Sequence, residues 1–165
     1  MWVSVSCAQA QVKNCADALT RFDPARGERY QARARVYIGK LEGLRERMQG
    51  ELSPYRGKKI VTCHDSFPYF AREFGFQIAG VVEREPGSAP NAQELARTIR
   101  LVRSSGIGIL FAEPQYPAAA ADVIARETGA KVYVLDPAVT GPDDPDAYLR
   151  IMEKNLMILK EAFRG

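Results

Sequence analysis

The sequence has little of several features that would quickly assign it to a class. No apolar stretch approaches the ~20 residues that a membrane-spanning helix needs. Lysine and arginine form no run, and the net charge is only +3, so nucleic-acid binding has little support. The start, Met1–Ser6, has no basic leader and only a short apolar stretch, so we expect no signal peptide in this chain.

Cysteine and histidine are also scarce. The three cysteines, Cys7, Cys15 and Cys63, include no CxxC pair, which fits neither a disulfide framework nor a zinc finger. Cys63 precedes the only histidine, His64, and strand alternation points the two side chains to opposite faces, so Cys63 is expected in the core. The GxSxG, P-loop and Gly-rich dinucleotide motifs are absent as well, which counts against the enzymes that carry them.

What is present is typical of a globular domain with a real core, at 165 residues, 46% hydrophobic and 26% charged. Helical periodicity covers residues near 8–22, and Asp23-Pro24 ends that helix. A long helix is predicted over about 25–50 because one apolar stripe recurs at spacings of four and three. The stripe consists of Tyr30, Ala34, Tyr37, Leu41, Leu44 and Met48.

After Gly57, four short apolar runs alternate with helical patterns. This order predicts an α/β fold with a four-stranded parallel sheet flanked by helices. The predicted strands are 59–63, 77–82, 107–112 and 131–135. The predicted helices are 67–74, 91–104, 117–128 and about 145–163, with a loop at 85–90. Asn91 and Glu94 predict a capping box, and Asp65 or Ser66 is expected to cap the helix before Pro68. We therefore divide the chain into N-terminal helices (1–57) and an α/β lobe (58–165).

Polar residues follow three of the predicted strands: His64-Asp65, Glu113 and Asp136. Ligands of open α/β sheets bind beyond the carboxyl ends of the strands, and imidazole and carboxylate are both good zinc ligands. Simpler roles stay open from the residues alone. A lone histidine at a strand end is often structural, Glu113 could cap the next helix, and Asp before Pro commonly starts a turn.

Four segments together resemble one protein family. They are His64–Phe76, Phe111–Gln115, Ile124–Ala130 and Leu135–Pro137. In this order they resemble the zinc/manganese-binding solute-binding proteins of ABC transporters (cluster A-I, zinc-uptake type). Asp23-Pro24, Tyr30 and the long helix are similar to that family's entry into its interlobe helix. The resemblance covers essentially the whole chain.

The resemblance implies a metal-binding protein and not an enzyme. In that family a metal lies between two α/β lobes joined by a long helix, and the C-terminal ligands map onto His64 and Asp136. Glu113 is expected to steady the imidazole, and Asp65 is a second candidate for such a role. Histidine, where manganese-preferring relatives often have glutamate, favours Zn²⁺, with Mn²⁺ as the alternative. The implied partner is the membrane permease of an ABC transporter, and the implied location is periplasmic or otherwise extracytoplasmic.

One departure from the family is large. The first lobe has no counterpart here, and Met1-Trp2 matches the position just after that lobe's second histidine ligand. We therefore expect a truncated C-terminal half, as a fragment or a shortened reading frame. Its uncovered apolar surface, on the long helix and around Trp2, Phe67 and Tyr69, should favour a homodimer.

Two other functions remain to be separated from metal capture. One is a small metal-dependent or acid–base α/β enzyme that uses His64 with Asp65, Glu113 or Asp136, although a single histidine would have to serve as both ligand and base. The other is a metal-free structural remnant or interaction domain. Metal analysis of the purified protein, with and without His64→Ala, is the most informative single experiment.

Overall fold

In the computed structural model, helices cover both faces of one sheet; residues 1–82, 90–116 and 118–164 are described. The strands are β1 (Lys59–Thr62), β2 (Gln77–Val81), β3 (Ile109–Ala112) and β4 (Lys131–Val134). The helices are α1 (Val5–Phe22), α2 (Gly27–Leu52), α3 (Pro68–Phe74), α4 (Ala92–Ser105), α5 (Ala119–Thr128) and α6 (Ala147–Arg164). Single 3-10 turns, Pro24–Arg26 and Ser53–Tyr55, flank α2.

The sheet has the order β2-β1-β3-β4, and every strand pair is parallel. This confirms the predicted four-stranded parallel α/β sheet. The order has one consequence that local sequence patterns do not reveal, which is that β3 lies between β1 and β4. In register, Thr62 pairs with Phe111, and Ala112 pairs with Val134. The carboxyl ends of these three strands therefore meet at one edge.

The two faces of the sheet have different cores. One face packs against α1, α2, α3 and α6 and holds the buried phenylalanines. The other packs against α4 and α5 and is built from smaller aliphatic residues. The helices of the first 57 residues thus share a core with the sheet, and the division at residue 57 stays a prediction.

The long helix is confirmed as one uninterrupted element, α2. Leu41, Leu44 and Met48 are buried on its inner side. A Cβ added at Gly39 or Gly43 would meet nothing within 4 Å, so these glycines face open space. Each costs the helix roughly 1 kcal/mol relative to alanine. Burial of each large apolar residue contributes about 1.5–3 kcal/mol, so the apolar stripe outweighs them.

Some predicted details are confirmed and others are wrong. The capping box is present, with reciprocal bonds between Asn91 and Glu94. Neither Asp65 nor Ser66 caps α3; Phe67 occupies that position without a side-chain bond, and the Ser66 hydroxyl donates to Glu113. The third strand begins later than predicted, because Ile107 N–H still closes the end of α4 by donating to a helical carbonyl.

Predictions at the loops and the surface have mixed outcomes. Most of the predicted loop 85–90 and the predicted helix start at Pro117 fall outside the described residues. Phe67 is only 1% exposed, so its expected place on the surface is wrong, whereas Trp2 and Tyr69 are 41% and 46% exposed. Phe67 turns inward to join the aromatic core. In the described ranges, none of the helices has the length and hydropathy needed to cross a bilayer.

Candidate metal site at the carboxyl edge of the sheet

The strand order brings the predicted polar residues to one edge with Glu113 in the middle. His64 follows β1, Glu113 follows β3 and Asp136 follows β4, and β3 is the central strand of the three. The sheet ladder continues past the strand ends, since Cys63 N–H donates to Phe111 and Leu135 N–H donates to Ala112. These backbone hydrogen bonds therefore fix the main-chain positions from which the three side chains project.

His64 and Glu113 form a buried pair. Each residue is only 3% exposed, and His64 Nδ1 lies 3.4 Å from Glu113 Oε1. The Ser66 hydroxyl donates to the other carboxylate oxygen, Oε2, at 3.2 Å. Burial raises the pKa of the Glu113 carboxyl, and the charge of Asp136 adds to this, whereas His64 and Ser66 oppose it. The imidazole therefore faces the carboxylate through Nδ1, at a distance longer than an ordinary N–H···O hydrogen bond.

An aromatic side chain covers the imidazole. The ring of Tyr116 lies against that of His64, with centroids 4.0 Å apart and an interplanar angle of 38°. Tyr116 follows Glu113 in a tight turn, in which its N–H donates to the Glu113 carbonyl. The sequence reading assigned it no role, although it directly follows the quoted Phe111–Gln115 segment.

Asp136 is half-buried and held by its surroundings. Its Oδ1 accepts hydrogen bonds from Ala138 N–H at 2.8 Å and from Gln115 Nε2 at 3.3 Å. Its backbone is bonded on both sides by Asn155, a buried residue of α6. Gln115 and Asn155 were also missed. Asn155 could have been noticed as the one polar residue at helical spacing within the apolar face of the last helix.

Asp65 is placed differently from the other predicted residues. It is exposed, and within the described part of the chain no hydrogen bond or ion pair to it is found. The structure thus brings Glu113, but not Asp65, into contact with His64. Cys63 is buried in the core that packs against α4 and α5, as expected.

The donor set is short of a complete metal site. Among the described residues, no group of three or more His, Cys, Asp or Glu side chains is placed to hold an ion. Two buried polar atoms near these residues, Thr62 Oγ1 and Gln115 Oε1, make no hydrogen bond to any described residue. Both belong to residues at this same edge. Buried polar groups without partners are rare in folded proteins and call for an explanation such as an ion or water.

Comparison with known proteins identifies the family. The family described as zinc-uptake complex component A, periplasmic, matches residues 1–162. This chain belongs to that family. Family membership fits the α/β sheet and the long helix, and it is the family to which the motifs around His64 and Asp136 pointed.

Individual relatives are similar along nearly the whole chain. The high-affinity zinc uptake system protein ZnuA of Brucella abortus is 28% identical over 161 residues, which is 97% of this chain and 48% of the relative. The zinc-binding lipoprotein AdcA of Streptococcus pneumoniae is 30% identical, over 98% of this chain and 33% of the relative. This chain therefore spans at most about half the length of these two relatives.

A solved structure has the same fold. The solute-binding protein FpvC of Pseudomonas aeruginosa, in complex with Mn²⁺, superposes with a TM-score of 0.89 at 29% identity. The match covers 98% of this chain and 61% of that protein. The long helix and the sheet of the present chain thus correspond to a large part of a metal-bound solute-binding protein.

Proposed function

We propose that this chain binds a divalent metal ion, foremost Zn²⁺, as the C-terminal lobe of a solute-binding protein of an ABC-type metal uptake transporter. His64 and Asp136 are the proposed ligands. The observation that carries the proposal is the convergence of both residues at one sheet edge, with the Glu113 carboxylate facing His64 Nδ1. Metal-bound histidines generally direct their second nitrogen to a carboxylate, carbonyl or water.

The geometry supports a choice of the atoms that we propose as ligands. Since Nδ1 lies 3.4 Å from Glu113 Oε1, Nε2 is the imidazole nitrogen assigned to the metal. The Glu113 carboxylate fixes the tautomer with hydrogen on Nδ1 and increases the basicity of Nε2. Asp136 supplies an oxygen. Nitrogen and oxygen ligands of this kind suit Zn²⁺, and Mn²⁺ is the alternative ion.

The relatives support zinc more than manganese. The Brucella abortus and Streptococcus pneumoniae relatives are named for zinc uptake and zinc binding, whereas FpvC was solved with Mn²⁺ and also with Ni²⁺. An imidazole ligand is consistent with zinc, because Mn²⁺ favours carboxylate and water. Zinc is therefore the first ion to test.

Affinity should be limited by the number of ligands. A tetrahedral zinc site uses three or four protein ligands, and the described residues supply two proposed ones. We expect a monomer of this chain to bind zinc weakly, on the order of micromolar or worse. Binding should weaken further at acidic pH, because protons compete with the metal for the imidazole.

Metal capture explains the site better than enzymatic acid–base chemistry does. The His64–Glu113 pair is almost completely buried, which restricts access of a substrate to these groups. The family consists of solute-binding proteins of metal transporters, which is not an enzyme class. Capture and release of an ion require no covalent step, so we propose that the chain has no enzymatic activity.

The family supports a partner and a location. We propose that the metal is delivered to the membrane permease of an ABC transporter, in the periplasm or an equivalent extracytoplasmic space. Support comes from the family description, which says periplasmic, and from the relative named as a lipoprotein. Binding to nucleic acid is not part of the proposal.

We also propose that the isolated chain forms a homodimer. Exposed apolar side chains remain on both N-terminal helices, including Phe22 at 90% and Val36 at 67% exposure. Between α1 and α2 lies a largely apolar cavity of about 560 Å³, which Trp2 and Leu19 border. Light scattering at high micromolar concentration should show a dimer, and a monomer throughout would contradict this part.

The decisive experiment is a zinc titration against a chelator of known affinity. Wild type, His64→Ala and Asp136→Ala should be compared, each with a mass measurement, since a dimer that shares ligands would bind more tightly. Weak binding that each substitution strongly weakens supports the proposal. Binding unchanged in His64→Ala, or nanomolar binding by a proven monomer, would show that the proposed site is wrong.

A further inference from the structure

Asn155 holds the backbone of Asp136 from both sides. The Asp136 N–H donates to Asn155 Oδ1 at 3.0 Å, and Asn155 Nδ2 donates to the Asp136 carbonyl at 2.7 Å. The two residues are 19 positions apart, so the contact joins α6 to the end of β4. Both bonds have good lengths for N–H···O bonds. This pair of bonds leaves the backbone of Asp136 little freedom to rotate.

The setting of Asn155 is unusual for a polar residue. It is 1% exposed, and the other buried residues of α6 are apolar: Met152, Leu156, Leu159 and Ala162. A polar side chain in such a face is costly unless its hydrogen bonds are satisfied. Here its acceptor oxygen and one N–H of its amide both bond to Asp136, and the amide nitrogen also donates to Met152 Sδ at 3.8 Å.

The Asp136 carboxylate is also restrained by hydrogen bonds. Ala138 N–H and Gln115 Nε2 both donate to Oδ1, and no donor to Oδ2 is found in the described part of the chain. The following turn is fixed as well, because Trp2 Nε1 donates to the Pro137 carbonyl at 2.8 Å. One carboxylate oxygen is thus engaged by the protein, and the other has no hydrogen-bond donor among the described residues.

We infer that Asn155 is a positioning residue for metal binding, which together with Gln115 makes Asp136 a ligand through Oδ2 alone. This inference rests on the proposed function. Asn155 fixes the backbone, Gln115 fixes the carboxylate plane, and the ion meets an oxygen that needs no reorganisation. Loss of such supporting contacts typically lowers metal affinity 10–100-fold.

A double-mutant cycle separates positioning from plain structural support. Zinc affinity is measured by chelator competition for wild type, Asn155→Ala, Asp136→Ala and the double variant, after circular dichroism has confirmed folding. We expect Asn155→Ala to weaken binding roughly 10–100-fold in wild type and to have no further effect in the Asp136→Ala background. Equal losses in both backgrounds, or no loss in wild type, would overturn the inference.

Two further variants complete the test. Thr98→Ala removes another buried polar side chain, on α4 and bonded to its own helix, and should leave zinc affinity unchanged. If Asn155→Ala does not fold, Gln115→Ala is measured in its place, and about tenfold weaker binding is expected; unchanged affinity would contradict the inference. Loss of binding in His64→Ala, with normal binding in the Asn155 and Gln115 variants, would reject the positioning role and leave the proposed function intact.

Discussion

Polar side chains are buried at the carboxyl edge of the sheet and exposed at the amino edge. At the carboxyl edge, His64 and Glu113 are each 3% exposed and in contact with one another. At the amino edge, Lys58, Lys59 and Lys131 line a cavity of about 570 Å³. These lysines are exposed, and none of them forms an ion pair with any residue that the structure describes.

This difference shows where the fold buries ionisable side chains. Burial of an ionisable group is unfavourable unless partners compensate it, and burial raises the pKa of the Glu113 carboxyl. The exposed lysines remain hydrated and carry no such cost. Buried titratable groups with a perturbed pKa are enriched at functional sites, so the carboxyl edge is the one to test, with the amino edge as its internal control.

The largest expected effect comes from removing the imidazole. His64→Ala should weaken zinc binding by more than ~100-fold, because a lost ligand costs more than a lost supporting contact. Thermal unfolding measures this, since a ligand at 100 times its Kd stabilises the folded state by about 2.7 kcal/mol. Zinc should raise the Tm of wild type and leave that of His64→Ala unchanged. An equal rise of the Tm in both proteins would mean that zinc does not bind through His64, and the carboxyl edge would no longer be distinguished as the metal site.

A smaller loss is expected from the neutral substitution Glu113→Gln. The amide keeps the size of the side chain but removes the negative charge that faces His64 Nδ1. Zinc affinity should fall roughly 10–100-fold. Chelator competition measures the affinity, and Glu127→Gln, an exposed carboxylate on α5, is the control. Unchanged binding in Glu113→Gln would mean that the carboxylate does not act on the imidazole.

The same substitution should change how stability depends on pH. Burial raises the pKa of Glu113 above its ordinary value of 4.5, so between the ordinary and the raised pKa the folded state holds more protons than the unfolded state. In that range the contribution of Glu113 to the free energy of unfolding falls as pH rises. Urea unfolding from pH 4 upward should show this decline in wild type relative to Glu113→Gln. A constant difference between the two proteins would contradict a raised pKa.

The smallest effect is expected at the amino edge. Lys59→Gln and Lys131→Gln should change zinc affinity by less than about twofold, since a strand of four residues spans roughly 13 Å. That distance exceeds the ~8 Å screening length at physiological ionic strength. Isothermal titration with zinc checks this, and a larger change would mean that the two edges are not independent.

Much of the fold follows from local patterns in the sequence. Short apolar runs bounded by glycine predict the strands, and the Asn91–Glu94 pair predicts the start of α4 correctly. These features depend on neighbours in sequence. The order of the strands, which places Glu113 between His64 and Asp136, is a tertiary property. The sequence predicted only that strands and helices alternate.

The contacts within the site were harder to predict for the same reason. Ser66 was expected to cap a helix, but the buried carboxylate of Glu113, 47 positions away, accepts its hydrogen bond instead. Asn155 bonds a residue 19 positions away on another element. Neither partner is visible in a local pattern. Of the predicted site residues, His64, Glu113 and Asp136 share an edge, and their roles as ligands and support remain proposals.

The most direct test of the central proposal is the position of the ion. Crystals of the protein soaked with zinc should be measured at the zinc absorption edge, and an anomalous difference map should be calculated. We predict a peak about 2.0–2.2 Å from both His64 Nε2 and Asp136 Oδ2, which is absent in crystals of His64→Ala. A dominant peak away from His64 and Asp136, or one that persists in His64→Ala, would contradict the account.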